Sequence, residues 1–352
     1  MLLRLITFFS LFIFSTANWA VEMADLYQSS ISVADKSRQA RIDAGQQAFV
    51  HVIKKLTGLE NVDSHPLVKQ ALRDYSFYLK KYEYVDYPEG GVAARFLFEE
   101  QKVNELVRKA NWPFWGNRRP QIVLWMVIED NNNRDFITRE SYPQLERLIY
   151  DKAAEWGLPI LVPLLDLEDR MQVGVTEVWG NFSAQVETAS KRYGAERVIT
   201  ARVFQQPASS SWMLEWRQTD AQNFEAQQLV GDQQVIISQM VESLAKSLLQ
   251  EFSIENSAQA TRTTSRLTVR KLVTFEQVER IKRRLQTISS IKDVDVFSRK
   301  GDVVEFDIAH VNSISDLKKA LSLEQTLRVY IDPSVFYHVD NETDLIYEWV
   351  DQ

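Results

Sequence analysis

The chain has 352 residues, with 41 Lys plus Arg against 48 Asp plus Glu for a formal charge of −7, 45% hydrophobic residues and no cysteine. That length holds about two or three domains, each able to bury its own core. The acidic balance opposes a nucleic-acid partner, and the absence of cysteine excludes disulfides, thiolate metal sites, a cysteine nucleophile and a lipidated cysteine.

At the N-terminus, Arg4 precedes the apolar run Leu5 to Phe14 and then the small residues Ser15-Thr16-Ala17. A bilayer core of ~30 Å needs ~20 apolar residues, so this run predicts a signal peptide over residues 1–17, cleaved after Ala17 or Ala20. An uncleaved segment tethering the chain to the inner membrane is the alternative. The next longest apolar run, Ile122 to Ile128, is far shorter than a span, so no transmembrane helix is expected after cleavage. Cleavage removes one arginine and no acid, which leaves the mature chain slightly more acidic. The expected location is the periplasm.

A first module is expected over residues 24–112. It starts with a strand from Tyr27 to Val33, followed by a helix with Asp35 as N-cap, Ile42, Phe49, Ile53 and Leu56 on one stripe, and Gly58 closing it. A helix from Pro66 to Leu79, strands Tyr82 to Tyr87 and Val92 to Phe98 joined across Pro88-Glu89-Gly90-Gly91, and a helix from Lys102 to Ala110 complete an α+β unit.

The second module, 120–252, opens on Ile122 to Ile128, apolar without alternation as in a strand covered on both faces. Helix Pro143 to Trp156, buried strand Ile160 to Leu165 and helix Phe182 to Tyr193 give a βαβ rhythm. Strands Arg197 to Phe204, Trp212 to Gln218 and Phe224 to Val230 and a helix bearing Ile237, Val241, Leu244, Leu248 and Phe252 follow. The expectation is a partly parallel mixed sheet with flanking helices.

Residues 253–265 read as a polar linker. Over 266–332 the order is β-α-β-β-α-β: Leu267 to Val273, Phe275 to Ile288, Val294 to Phe297, Val303 to Ile308, Ser315 to Leu323 and Leu327 to Ile331, which is the ferredoxin-like order. An acidic, aromatic tail, 333–352, is left to cover a sheet edge or engage a partner. The fold class is therefore α+β in three small modules.

Several strings, Leu26-Tyr-Gln-Ser-Ser-Ile-Ser-Val-Ala-Asp35, Leu56-Thr57-Gly58, Val178-Trp179-Gly180 and Arg192-Tyr193-Gly194-Ala195-Glu196-Arg197-Val198, together resemble the exported Gram-negative family catalogued as domain of unknown function 2066, over most of residues 24–250. That resemblance implies export and carries no activity, cofactor or functional residue. The second module also looks, in element order, like small α/β modules of outer-membrane lipoproteins that bind other envelope proteins, without their lipidated cysteine.

For chemistry, the acids Glu129, Asp130, Asp166, Glu168 and Asp169 follow the two buried strands, where open α/β sheets place their ligand crevice. Paired carboxylates there could act as acid and base in glycoside cleavage or hold a divalent cation; equally, acids cap helices and solubilise loops. Asp130-Asn-Asn-Asn-Arg-Asp135 fails as a calcium loop, since Arg134 takes a ligand position, and reads as a surface loop. The histidines His51, His65, His310 and His338 lack metal spacing, and no nucleophile elbow or phosphate-cradling glycine loop occurs, so no metal or cofactor is predicted.

Trp112, Phe114, Trp115, Arg118 and Arg119 join modules one and two. They suit a glycan or protein contact through stacking rings and carboxylate-pairing arginines, or else wedge the modules together. Arg280, Lys282, Arg283 and Arg284 are spaced against Glu276 and Glu279 as a solvated helix face. The expected function is a non-catalytic binding or scaffold protein of the cell envelope, whose partners are envelope proteins or peptidoglycan. A periplasmic hydrolase or glycan-acting enzyme using Glu129, Asp130, Asp166 and Asp169 is the alternative.

Overall fold

A computed structural model describes residues 26–86, 91–116, 119–206, 211–219, 226–253, 263–286, 288, 290–310, 313–322, 324, 326–330 and 345–350. The signal segment, Arg118, most of the linker and the start of the tail lie outside these residues. The described elements form three sheets of mixed α+β character.

The first sheet is antiparallel in the order β1 (Gln28–Val33), β3 (Val92–Phe98), β2 (Leu79–Asp86), covered by α1 (Arg38–Thr57), α2 (Pro66–Arg73) and α3 (Glu100–Lys109). The N-cap of α1 is Ser37, whose side chain accepts from the Ala40 N–H, and not Asp35. Asp35 instead accepts from the Ser37 N–H at 2.8 Å and shapes the turn one step upstream. Ala48, Phe49, Val52, Ile53 and Leu56 form the buried stripe of α1, and Gly58 ends it in the left-handed conformation with its N–H on the Lys54 carbonyl. Contrary to the long helix expected to Leu79, α2 stops at Arg73. Tyr75 drops into the core against Gly45, where a Cβ would lie 2.4 Å from the ring, and this insertion ends the helical path.

The middle sheet runs β5-β4-β7-β8-β9, with β6 also paired to β4. Its elements are β4 (Ile122–Asp130), β5 (Asn133–Phe136), α4 (Pro143–Trp156), β6 (Ile160–Leu161), α5 (Leu167–Gln172), α6 (Val175–Trp179), α7 (Ser183–Ser190), β7 (Arg197–Gln205), β8 (Trp212–Gln218), β9 (Gln227–Gly231) and α8 (Gln233–Phe252). Strands β6 and β7 pair parallel to β4, whereas β5 pairs antiparallel. The unbroken apolar run of β4 serves two cores. Ile122, Leu124, Met126 and Ile128 pack toward α4 and α8, while Val123, Trp125 and Val127 pack toward Val178 and Val186 of α6 and α7. Trp125 donates its indole N–H to Ser190 Oγ at 2.9 Å, so this large ring is both buried and satisfied.

Two local readings are corrected here. The expected loop at Asp130 to Asp135 is a hairpin, because Asn131 and Asn132 take φ of 49° and 64°, the left-handed pair that a tight two-residue turn needs. The expected strand to Leu165 ends at Leu161. Pro163 cannot donate to a ladder, Leu165 takes φ 54°, and Asp166 then N-caps α5 by accepting from the Asp169 N–H at 3.0 Å.

The third sheet contains β10 (Thr263–Arg270), α9 (Phe275–Gln286), β11 (Ile291–Lys300), β12 (Val303–His310), α10 (Ile314–Ser322), β13 (Leu327–Val329) and β14 (Leu345–Trp349). The ferredoxin-like β-α-β-β-α-β order is present, extended to a five-stranded sheet in the order β11-β12-β10-β14-β13. Strand β14 lies parallel to β10 and antiparallel to β13, inserted between them, with Leu345, Tyr347 and Trp349 buried. The described part of the tail is thus an interior strand and covers no edge. Strand β10 also starts at Thr263, inside the stretch expected to be linker.

Candidate functional site

The five acids singled out from sequence fall into two separate groups. Glu129 pairs with Arg134 at 2.6 Å across the β4–β5 hairpin, and Asp130 accepts from the Asn131 side chain at 3.0 Å. Asp166, Glu168 and Asp169 gather instead around Arg192 and Tyr193. Among the described residues no hydrogen bond or ion pair joins one group to the other, so the sheet does not converge them into an acid–base pair. Nor does any group of three His, Asp or Glu among the described residues form a metal-binding cluster.

The second group is a structural clamp. Arg192 forks onto Asp166 with Nη1 to Oδ1 at 2.7 Å and Nη2 to Oδ2 at 2.8 Å, and its Nη1 also donates to Asp169 Oδ1 at 3.1 Å. Asp169 is fully buried. Its other oxygen, Oδ2, accepts from the Tyr193 hydroxyl and from the Leu165 N–H. Arg170 Nε holds the Leu165 carbonyl at 2.7 Å. Both backbone groups of Leu165 are therefore gripped, which sustains a left-handed conformation costing about 1–2 kcal/mol in a residue with a Cβ. Burial and the bond to Asp169 push the Tyr193 hydroxyl up to about 12, so it stays protonated and keeps donating.

Hydrogen bonds from Arg192 and from the Asp169 N–H hold the Asp166 carboxyl down at about 2. A depressed carboxylate adds stability above its ordinary pKa, and that contribution disappears as pH falls through the folded-state value. Asp166→Asn keeps the cap and removes the charge. Wild type should be the more stable protein from neutral pH to about pH 4, with the gap closing as pH falls to about 2. Thermal melts across that range check this; a constant gap would contradict it.

Pinning Leu165 drives its neighbours outward. Leu164, Leu167 and Met171 are 76% to 78% exposed, with Leu167 and Met171 one turn apart on α5. Of the three, Leu164 lines an open cleft of about 880 Å³ between the start of α4 and residues 162–170, at the carboxyl end of β6, while Leu167 and Met171 lie on the adjoining α5 outside its lining. Its lining carries Arg139, Arg147 and Arg170 against Glu140 and Glu146, together with Tyr150, whose hydroxyl accepts the Val162 N–H at 3.2 Å. Burial raises the Glu146 carboxyl, and nearby Arg139 opposes that rise. Sequence reading missed this site because Leu164 and Leu165 were absorbed into a strand; the spacing of Leu167 and Met171 amid Asp166, Glu168 and Asp169 was the available signal.

Of the aromatic–arginine string, Phe114, Trp115 and Arg119 are turned inward, as in the reading that has the string wedge the modules together. Phe114 belongs to the core of the first sheet, while Trp115 belongs to that of the middle sheet and stacks on Phe252. Trp112 packs on the first core and edges against His65. Arg119, 4% exposed, donates to the carbonyls of Lys55 (2.6 Å), Trp156 (2.8 Å), Gly157 (3.1 Å), Trp115 (3.2 Å) and Gly116 (3.3 Å). It thereby satisfies the C-terminal carbonyls of both α1 and α4, the negative ends of two helix dipoles. Burial lowers its pKa to about 9, which still leaves it cationic at neutral pH. Phe114 and Trp115, each inside a core, cannot stack on a sugar and with Arg119 join two sheets, whereas Trp112 is half-buried and lines a separate open pocket with His65 and Pro66.

Residues 20–116 match a family described as Domain of unknown function (DUF8605). That match replaces the resemblance to domain of unknown function 2066. Two of the strings behind that resemblance contain helix stops, Gly58 and Gly194, left-handed at φ 69° and 65°, and such stops recur wherever a helix must end. No curated protein matches the chain. Among solved structures, the crystal structure of a formyltetrahydrofolate deformylase from Pseudomonas putida KT2440 matches at 12% identity over 56% of this chain and 91% of that one, with a TM-score of 0.20.

Proposed function

We propose that this chain is an exported, non-catalytic binding protein of the cell envelope, and that the cleft between α4 and α5 grips an apolar, acid-bearing polypeptide segment of an envelope partner. The observation that carries this reading is Leu164, exposed in the cleft lining next to the clamped, left-handed Leu165, with Leu167 and Met171 exposed on the adjoining α5. Exposed apolar side chains fixed in place lose little entropy on contact, the condition under which a small patch binds well. The arginines of the cleft lining, of which Arg147 also pairs with Asp151 at 3.8 Å and Arg170 holds the Leu165 carbonyl, offer positive charge to a partner with carboxylates. A polypeptide is favoured over peptidoglycan because the rings of Phe114 and Trp115 face inward. A hydrolase finds no support, as each acid it would use is held by an arginine or a neighbouring amide.

Export is part of the same proposal and rests on Arg4 and the apolar run after it; among the described residues no helix is long and apolar enough to cross a membrane. The test is recovery of the partner from envelope extracts with wild type and with Leu167→Asp/Met171→Asp. The double variant, on exposed positions, should melt like wild type and recover at least about tenfold less partner. Equal recovery by both, or wild type found only in the cytosol with its initiating methionine, would defeat the reading.

A further inference from the structure

The face of the middle sheet that carries α6 and α7 holds a second, smaller cavity. It measures about 30 Å³ and is lined by Asn181, Ser183, Thr200, Arg217 and Thr219, none of which lines the cleft. A single water needs about 10–15 Å³ and a drug-sized ligand about 300 Å³ or more, so the space suits one compact group.

Its walls are fixed by the sheet and by the turn between the two helices. Thr200 of β7 and Arg217 of β8 are cross-strand neighbours, and the Thr219 N–H donates to the Val198 carbonyl at 3.0 Å. The chain passes from α6 to α7 through Asn181 at φ 58°, a left-handed conformation that asparagine tolerates, and the Thr200 hydroxyl donates to Asn181 Oδ1 at 3.3 Å. That bond occupies the amide oxygen and leaves the Asn181 NH2 as a donor.

The chemistry of the lining is one-sided. Thr219 is 4% exposed and its hydroxyl has no hydrogen-bond partner, an arrangement that buried polar groups avoid. Among the described residues the half-buried Arg217 makes no hydrogen bond or ion pair. Ser183 opens α7, whose N-cap Phe182 supplies no side-chain cap and whose first turn holds no acid, so the positive end of this helix dipole is left to a ligand. No carboxylate lines the cavity. Glu215, on the same face of β8, is taken by Arg202 and Gln228, and Glu187, one turn further along α7, is not in the lining.

A guanidinium, an amide NH2, hydroxyls and a helix N-terminus without an opposing acid are complementary to a negative group with several acceptor oxygens. A tetrahedral oxyanion points its oxygens in all these directions at once, whereas a carboxylate holds both of its own in one plane. We propose that Arg217, Thr219, Ser183 and Asn181 bind a single phosphate or sulfate group at the start of α7. The occupant is the free ion or the terminal group of a larger molecule whose remainder stays outside.

The experiment is titration calorimetry of the purified chain with inorganic phosphate at constant ionic strength, against chloride and acetate, together with thermal melts in phosphate-free buffer. Wild type is expected to bind phosphate saturably, acetate more weakly and chloride not at all. Arg217→Gln should weaken phosphate binding about tenfold or more through loss of charge-assisted bonds. Thr219→Val should weaken it about fivefold and melt at or above the wild-type midpoint, since an isosteric methyl replaces an unsatisfied buried hydroxyl. Phenyl phosphate binding as tightly as the inorganic ion supports the site with a terminal group as occupant; binding of the inorganic ion alone supports it with the free ion. No saturable phosphate binding by wild type, or binding by Arg217→Gln as tight as that of wild type, overturns the site. So does a Thr219→Val chain that binds phosphate like wild type or melts below it, because the hydroxyl then serves the fold alone. The cavity and the cleft share no lining residue, so failure of either proposal leaves the other standing.

Discussion

Arg119→Met should lower stability by about 4 kcal/mol and split thermal unfolding into separate steps for the first and middle sheets. Methionine fills a similar volume but donates nothing, so carbonyls of Lys55, Trp115, Gly116, Trp156 and Gly157 lose a buried donor. Contacts that remain at that junction include the Trp115 N–H on the Leu56 carbonyl at 2.8 Å, the 2.6 Å pair of Lys246 with Glu60, and Leu249 against Gly58, where a Cβ would come within 2.3 Å of the leucine. Apolar packing persists, but the one group that satisfies both helix ends at once is gone. Arg119→Lys should recover only part of the loss, because a single ammonium cannot reach carbonyls on α1 and α4 in the spread that a planar guanidinium covers. Calorimetry distinguishes the outcomes. A single transition, displaced by less than about 1 kcal/mol, would show that Arg119 is not the staple described.

Asp169→Ala should cost about 3 kcal/mol and lower the midpoint of the middle sheet by roughly 6 to 12 °C. The buried carboxylate accepts from Leu165, Tyr193 and Arg192, and its removal strands a backbone N–H and a hydroxyl while leaving the guanidinium with Asp166 and Glu168. A local consequence follows from the same contacts. Leu165 loses the bond to its N–H and relaxes out of the left-handed region, which releases Leu164 from its fixed position by the cleft. Amide exchange should therefore rise first across residues 162–170, and partner recovery should fall even at temperatures where the chain stays folded. Asp169→Asn retains part of the geometry and should lie between. Uniform loss of protection across the whole middle sheet, with none specific to 162–170, would contradict this assignment.

Much of the architecture was legible because most elements carry their own signal. The stripe Phe49, Ile53, Leu56 ending at Gly58 marks α1, and the unalternating Ile122 to Ile128 marks a strand that feeds two cores. Period-two residues such as Val304, Phe306 and Ile308 mark β12 in the same way. What escaped depended on partners distant in sequence or on backbone geometry with no periodicity. Strand β14 alternates Leu345, Tyr347, Trp349, yet its place between β10 and β13 is set by parallel pairing with Leu267 to Arg270, far back in the chain. Helices α5 and α6 are too short to show a stripe, and the hairpin at Asn131-Asn132 required asparagine to be read as a left-handed residue.

The site followed the same division. Sequence proximity to strand ends grouped Asp166, Glu168 and Asp169 with Glu129 and Asp130 and could not tell that Arg192 and Tyr193 would close over the first three alone. Rings and arginines in Trp112 to Arg119 have the same composition whether they face solvent or a neighbouring core; only the packing of Phe114 and Trp115 into two different cores separates those cases. The cleft itself is made of the start of α4 and the turn before α5, segments whose approach no local pattern encodes.

The most direct test of the cleft as a binding site is photo-crosslinking in living cells from a reactive residue placed at Met171, compared with one at exposed Phe77 on the first sheet. A discrete adduct with one envelope polypeptide from position 171, absent from position 77 and lost when Leu164→Asp is added, is the predicted result. Equal, diffuse labelling from both positions, or an adduct indifferent to Leu164→Asp, would contradict it.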